Sequence, residues 1–244
     1  MNISKAWDSK TTYCCRNSNK LRKKQTALQS TTPKTYIVRR MGHYTPAEVI
    51  AHDSASWAQA NALEDFVFPW EPGKPPAAIT FRALHDDQGL YWQFRVQDRD
   101  IKTYVNKNEK SEVLHGDRVE IFLCTDTTLS TYYGLEIDAL ARVYDYRASY
   151  YRKFDSHWQW PSGQLRASAR QDEDGYVVTG RISLQSLADL GLLANGMLHC
   201  GLYRGRCMEI DLEKEAMQWI SWVTPASATP DFHIPSSFGI LQLE

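Results

Sequence analysis

The sequence is poor in the signals that announce an enzyme or a membrane protein. No apolar run reaches signal-peptide or bilayer-spanning length, so neither targeting nor membrane insertion is expected. The five cysteines (Cys14, Cys15, Cys124, Cys200, Cys207) are odd in number and show no metal-site spacing, which leaves no disulfide framework and no zinc motif. The seven histidines form no HxH or HExxH pattern, so a metal enzyme is not indicated. GxSxG, Walker and GxGxxG motifs are all missing, which removes the commonest routes to acyl transfer, phosphate cradling and dinucleotide binding. No long helical period and no internal repeat can be read.

Charge is scarce in net terms, at −1, but unevenly spread. Residues 1–34 hold eight Lys/Arg against Asp8 alone, in a background of Ser, Thr, Asn and Gln. That composition reads as a disordered basic leader rather than a folded element. Met41 is a candidate true start, and a signal peptide missed by that route would change the localisation, which the sequence leaves unknown. The body, 35–244, is acidic and offers no footprint for nucleic acid.

What is abundant is aromatic residues and alternation. There are 8 Trp and 13 Tyr. The body reads as short strands between turn signals: 79–84, 90–98, 117–124, 131–147, 164–171, 176–184, 198–207, 217–223 and 239–243. Residues 185–191 read as one or two helical turns. The pattern predicts an all-β domain, an antiparallel β-sandwich of jelly-roll or immunoglobulin-like type with a short helical turn.

The strand 116-GDRVEIFLC-124 frames the functional question. Val119, Ile121 and Leu123 make one apolar face. Arg118, Glu120 and Phe122 make the other, which suits either a solvated surface or the floor of a cleft. Glu136 and Asp138 take the same polar side of 131–147. Two such carboxylates could serve a glycoside hydrolase, Glu120 with Glu136 or with Asp138. They could equally pair with Arg118 or Arg204 as structural ions. His233 and Phe232 lie in the loop 231-DFHIPSSFG-239, where an aromatic ring can stack on a flat ligand.

The order of these segments resembles the family 9 carbohydrate-binding modules, β-sandwich modules associated with xylanases. It is closer still to the free-standing family 9-like proteins. The likeness rests on Trp57, 90-LYWQFRVQD-98, 116-GDRVEIFL-123, 132-YYGLEID-138, 175-GYVVTGRISL-184, 219-WISWVTP-225 and 232-FHIPSSFGILQL-243, and covers roughly 45–244. It implies non-catalytic binding of a mono- or oligosaccharide in polysaccharide catabolism, and a secreted or periplasmic localisation if the start is misplaced. The two tryptophans of the family's sugar clamp align with Leu114 and Phe232, its glutamate with Glu120 and its arginine with Glu136. Its glutamine and asparagine align with Tyr203 and Thr229. The implied ligand-binding set is Glu120, Glu136, Asp138, Tyr203, Arg204, Phe232 and His233, with no catalytic residue and no metal ligand. The family also implies structural calcium, for which Asp86, Asp87, Asp98 and Asp100 are available. Related DOMON-like sandwiches bind haem, which would here fall to Met208 and His233.

Overall fold

The computed structural model describes residues 32–214 and 216–244; the basic leader expected over 1–34 lies almost wholly outside them, with Cys14 and Cys15. Thirteen strands follow in chain order: β1 (Thr35–Arg40), β2 (Ile79–His85), β3 (Gly89–Gln97), β4 (Arg118–Cys124), β5 (Tyr132–Asp138), β6 (Val143–Ser149), β7 (Lys153–Asp155), β8 (Leu165–Asp172), β9 (Gly175–Ser183), β10 (Leu193–Ala194), β11 (Met197–Cys207), β12 (Met217–Ser221) and β13 (Gly239–Leu243). The helices are short, α1 (Pro46–Val49) and α2 (Leu184–Asp189).

The strands form one curled path, β7-β6-β5-β4-β11-β13-β1-β2-β3-β9-β8, with β10 and β12 branching from β11. The fold happens at β1. Its first half, Thr35–Val38, pairs with β13, and its end, Arg39 and Arg40, pairs with β2. One strand therefore belongs to a front sheet (β4–β7, β10–β13) and a back sheet (β2, β3, β8, β9), and closes them into a sandwich. Both β1 pairings are parallel, while every other named pair is antiparallel. The sequence reading did not foresee β1, because 35-TYIVRR-40 carries too few alternating residues to stand out.

Period-two alternation places the core. From the front sheet, Val119, Ile121, Leu123, Leu135, Ile137, Leu198, Cys200 and Leu202 point inward. They meet Phe81, Trp92, Phe94, Val96, Tyr176 and Val178 from the back sheet. Trp92 is fully buried there, as its register predicts. The helical turn expected at 185–191 is α2, capped by the Ser183 hydroxyl accepting from the Ser186 amide.

The long strand expected over 131–147 is two strands. The chain turns at Ala139–Arg142, with Ala141 in the left-handed region at φ 63, and returns as β6 beside β5. Asp138 makes that turn. Its Oδ1 accepts from the amides of Leu140 and Arg142, and its Oδ2 from Arg142 Nε at 2.8 Å.

Candidate functional site

The outer face of the front sheet is laid down in cross-strand rows. One row sets Tyr203 (β11), Glu120 (β4), Glu136 (β5) and Tyr144 (β6) side by side. The next sets Gly201, Phe122, Gly134 and Tyr146. The two glycines are a packing requirement. A Cβ on Gly134 would lie 2.1 Å from the Tyr146 ring, and one on Gly201 would lie 2.0 Å from the Tyr203 hydroxyl. Both tyrosines can therefore lie flat over the sheet, and Phe122 meets them edge-on at 6.0 and 5.0 Å.

Above this floor is a cavity of about 360 Å³. Arg118, Glu120, Phe122, Glu136, Tyr144 and Tyr146 form its floor. Trp70, Trp219, Phe232, His233, Phe154, Arg152 and Leu114 also line it, with Phe154 edge-on to His233 at 5.1 Å. The strand 116–124 thus carries a charged pair and an aromatic ring on its outer side because that side is the bottom of a cleft.

The charges are tied together. Arg118 Nε stands 2.6 Å from Glu136 Oε2 and 3.0 Å from Glu120 Oε1, and its Nη1 donates to the Leu114 carbonyl at 2.9 Å. Its guanidinium also lies over the Trp219 ring, 5.2 Å from the centroid. Glu120 and Glu136 are 2% and 6% exposed. Two like charges face each other across β4 and β5, and the single guanidinium between them makes that arrangement tolerable.

Phe232 stacks on Tyr203 at 4.1 Å and 11°, with Trp219 edge-on at 5.7 Å and Trp70 tilted at 5.4 Å. Tyr203 anchors this stack through its hydroxyl, which donates to Ser237, 2.8 Å from Oγ and 3.0 Å from the carbonyl oxygen. Burial pushes its phenol well above its usual range. His233 stacks on Phe122 at 5.1 Å, and its Nδ1 shares a hydrogen bond with the Tyr132 hydroxyl at 3.1 Å. Burial, aided by the Arg152 charge and opposed by Asp231, depresses its imidazole to about 4. The Tyr146 phenol is raised well above its usual range, first by burial and then by the charges of Glu136 and Glu120.

Of the residues anticipated from sequence, Glu120, Glu136, Phe232 and His233 come together in the cavity lining. Tyr203 is fully buried one layer behind, under Phe232. Asp138 is spent on its turn. Arg204 is a correction: it shares the inward parity of Leu202 and does not reach the cavity. It is held instead by Asp98 at 2.6 Å and Asp117 at 2.8 Å. Support for Glu120 falls to Arg118 alone of the two arginines.

Sequence reasoning missed Trp70, Trp219, Tyr144, Tyr146, Phe154 and Arg152. Tyr144 and Tyr146 could have been found by alternation within 143-VYDYRAS-149. Trp70 and Trp219 could not, since the first comes from a Pro-rich loop and the second from a strand four pairings away from β6.

The carboxylates proposed for calcium are engaged by protein groups. Asp98 binds Arg204 and Arg206, Asp86 accepts from the Gln88 and Gly89 amides, Asp87 pairs with Arg40 and Asp100 with Lys102. Among the described residues no group of three or more His, Cys, Asp or Glu gathers as a metal site. The haem pair does not assemble in the cavity either: His233 lines it, whereas Met208 is exposed beyond the end of β11.

A β-sandwich with a charged and aromatic cavity on one outer face defines a ligand-binding module. The profile of the carbohydrate family 9 binding domain-like family matches residues 51–244, and the chain belongs to that family. The fold is similar to the crystal structure of a candidate carbohydrate-binding protein of Bacteroides uniformis, with a TM-score of 0.68 and 16% identity over 87% of this chain and all of that one. It is also similar to a family 9 carbohydrate-binding module of Caldicellulosiruptor kristjanssonii. In complex with glucose that module gives a TM-score of 0.52 and 18% identity over 86% of this chain and 96% of that one. Its complex with cellotriose gives 0.52 and 17% over 86% and 94%. A search of curated proteins found no match to the chain.

Proposed function

We propose that this chain is a non-catalytic carbohydrate-binding module serving polysaccharide breakdown, and that the front-sheet cavity holds one end of a mono- or oligosaccharide. The observation that carries the reading is the buried Arg118–Glu120–Glu136 set lying in a basin of aromatic rings. Sugars present apolar C–H faces bordered by hydroxyls. Rings such as Phe122, Trp219 and Phe232 suit the first, and fixed carboxylates that accept hydroxyl protons suit the second. The known partners of similar modules, glucose and cellotriose, are of this chemistry.

The binding set in this reading is Glu120, Glu136, Phe232, His233, Arg118 and Trp219, with Tyr203 holding Phe232 in place. The wall of Phe232, Trp70 and Trp219 takes over from the aligned clamp positions, of which Leu114 offers no ring. Neither nucleic acid nor membrane belongs to the proposed partners. The body is acidic, and among the described residues no helix is long and apolar enough to cross a membrane. Hydrolysis is disfavoured because both cavity carboxylates grip one guanidinium nitrogen and Asp138 is committed to Arg142.

The test is calorimetric titration with glucose, xylose, cellotriose and xylotriose, on the parent protein and on Glu120→Gln. The expected result is saturable binding weakened by roughly 10- to 100-fold in the variant, with no product on chromatography. Binding of equal strength in both proteins, or release of cleaved sugar, would overturn the reading.

A further inference from the structure

Among the described residues, the aromatic side chains counted as exposed are three: Tyr150 at 50%, Tyr151 at 50% and Phe154 at 45%. All three belong to one short hairpin, the β6–β7 connection, and that hairpin borders the cavity. Elsewhere the fold spends large rings on its interior. Three bare rings in five residues at the rim of a ligand cavity call for a partner.

The hairpin is fastened. The Tyr151 hydroxyl donates to Asp231 Oδ2 at 2.6 Å, and Arg152 reaches Asp231 Oδ1 at 3.2 Å. The Tyr150 amide donates to the Leu129 carbonyl at 2.9 Å. Arg152 sits in the left-handed region at φ 55, an uncommon place for a long side chain, and its guanidinium stands 5.9 Å from the Phe154 ring centre. Asp231 belongs to the loop that carries Phe232 and His233, so the hairpin and that loop are tied at one carboxylate. Phe154, Arg152 and Asp231 line the cavity; Tyr151 is bonded to that Asp231, and the Tyr150 ring stands 5.3 Å from the Tyr151 ring.

We propose that this hairpin is a second carbohydrate surface outside the cavity, on which the outer units of a longer oligosaccharide stack once its end is seated. The inference rests on the carbohydrate reading of the cavity. Continuity carries it: Asp231 lines the cavity of about 360 Å³, Tyr151 is bonded to Asp231, and Tyr150 stands against Tyr151, so the exposed rings begin at the cavity lining. Size argues against a protein partner. Half-exposed aromatic side chains offer about 100 Å² each. Three of them fall well short of the ~800 Å² per partner of a stable protein interface. The chemistry fits as well, since tyrosine rings set rigidly on two side-chain torsions suit stacking on C–H faces, and Arg152 and Asp231 supply hydrogen bonds at the edge.

The experiment compares affinities for glucose and cellotriose, and for xylose and xylotriose, in the parent protein and in Tyr150→Ala. Tyr150 is chosen because it does not line the cavity. The readout is the ratio of trisaccharide to monosaccharide affinity within each protein, with thermal melts as the folding control. The expected ratio is tenfold or more in the parent and falls about three- to tenfold in Tyr150→Ala. An unchanged ratio would overturn the platform and leave the cavity reading standing. Failure of all four sugars to bind the parent protein would overturn both. A parent that sediments as a dimer, and a Tyr150→Ala variant that does not, with the ratio unchanged, would assign the rings to self-association and overturn the platform.

Discussion

The two outer faces of this sandwich start from the same pattern and end differently. Both β3 and β4 alternate apolar inward residues with polar and aromatic outward ones: Tyr91, Gln93 and Arg95 on the back, Arg118, Glu120 and Phe122 on the front. On the back, residues 41–60 lie across the sheet. Val49 and Trp57 pack on Leu84 and Tyr91, Gln93 donates to the His52 carbonyl at 2.9 Å, and the Thr179 hydroxyl donates to the Ile50 carbonyl at 2.9 Å. On the front, Trp70, Trp219 and Phe232 pack over part of the face, and Arg118, Glu120 and Glu136 are bound to one another beside a cavity. Alternation therefore says that a face is not the core, and the covering segment decides whether it becomes a site. The covered face has Gln93 and Thr179 met by the backbone that crosses it, whereas on the front Arg118 joins Glu120 and Glu136 to each other beside room for a ligand.

The sharpest way to break the comparison is to remove one arginine from each face. Arg118→Ala leaves Glu120 and Glu136 buried and facing each other, which is expected to cost about 3–5 kcal/mol in urea unfolding at neutral pH. Arg95→Ala on the back removes a half-exposed contact to Asp172 at 3.4 Å and is expected to cost under about 1 kcal/mol. Equal costs would mean that the front charges are no more dependent on each other than a surface pair.

Much of this was legible beforehand, for definable reasons. The inward rows of β4 and β5 and the β8–β9 hairpin follow from period two and turn signals, whereas the grouping of Glu120, Glu136, Phe232 and His233 in one site came from the family resemblance. The placing of Arg204 was legible too, since it shares the parity of Leu198, Cys200 and Leu202, but a charge at the end of an apolar row invites a ligand reading. Its true partners, Asp98 and Asp117, are 106 and 87 residues away in the chain. Trp70 and Trp219 are out of reach for the same reason: one comes from a loop, which carries no period, and the other from β12, whose own alternation does not say which distant strand it will face.

Acid should expose the second difference. His233 is the front-face histidine set against Phe122, with a folded value of about 4 against an ordinary 6.5. A base whose folded value is depressed is neutral in the native state, while the unfolded chain takes up a proton. Its contribution is full above about 6.5 and is lost as the pH falls toward 4. The loss attributable to this residue is expected to be on the order of 2–3 kcal/mol. His233→Phe should flatten that part of the stability–pH curve; a curve that keeps its slope would place the titration elsewhere.

A smaller effect tests the covered face. Thr179→Val removes the hydroxyl that satisfies Ile50 and is expected to cost about 1–2 kcal/mol of stability. Because that hydroxyl lies on the far side of the core from the cavity, sugar affinity should stay within twofold. A larger change in affinity would mean that the two faces are coupled through the core.

The smallest expected effect has the opposite sign and separates two tyrosines on the same face. Tyr203 and Tyr146 both lie flat over a glycine, but the Tyr203 hydroxyl bonds Ser237 whereas the Tyr146 hydroxyl is buried with no hydrogen-bond partner among the described residues. Tyr203→Phe should therefore lose about 1 kcal/mol. Tyr146→Phe discards a desolvated group that gains nothing in return, and should be neutral or more stable by up to ~1 kcal/mol in the same urea series. If Tyr146→Phe instead destabilises as much as Tyr203→Phe, the Tyr146 hydroxyl is satisfied by water inside the cavity. The front face would then resemble the back in one respect: its polar groups would be covered, by solvent in place of chain, and a ligand would have to displace that water to bind.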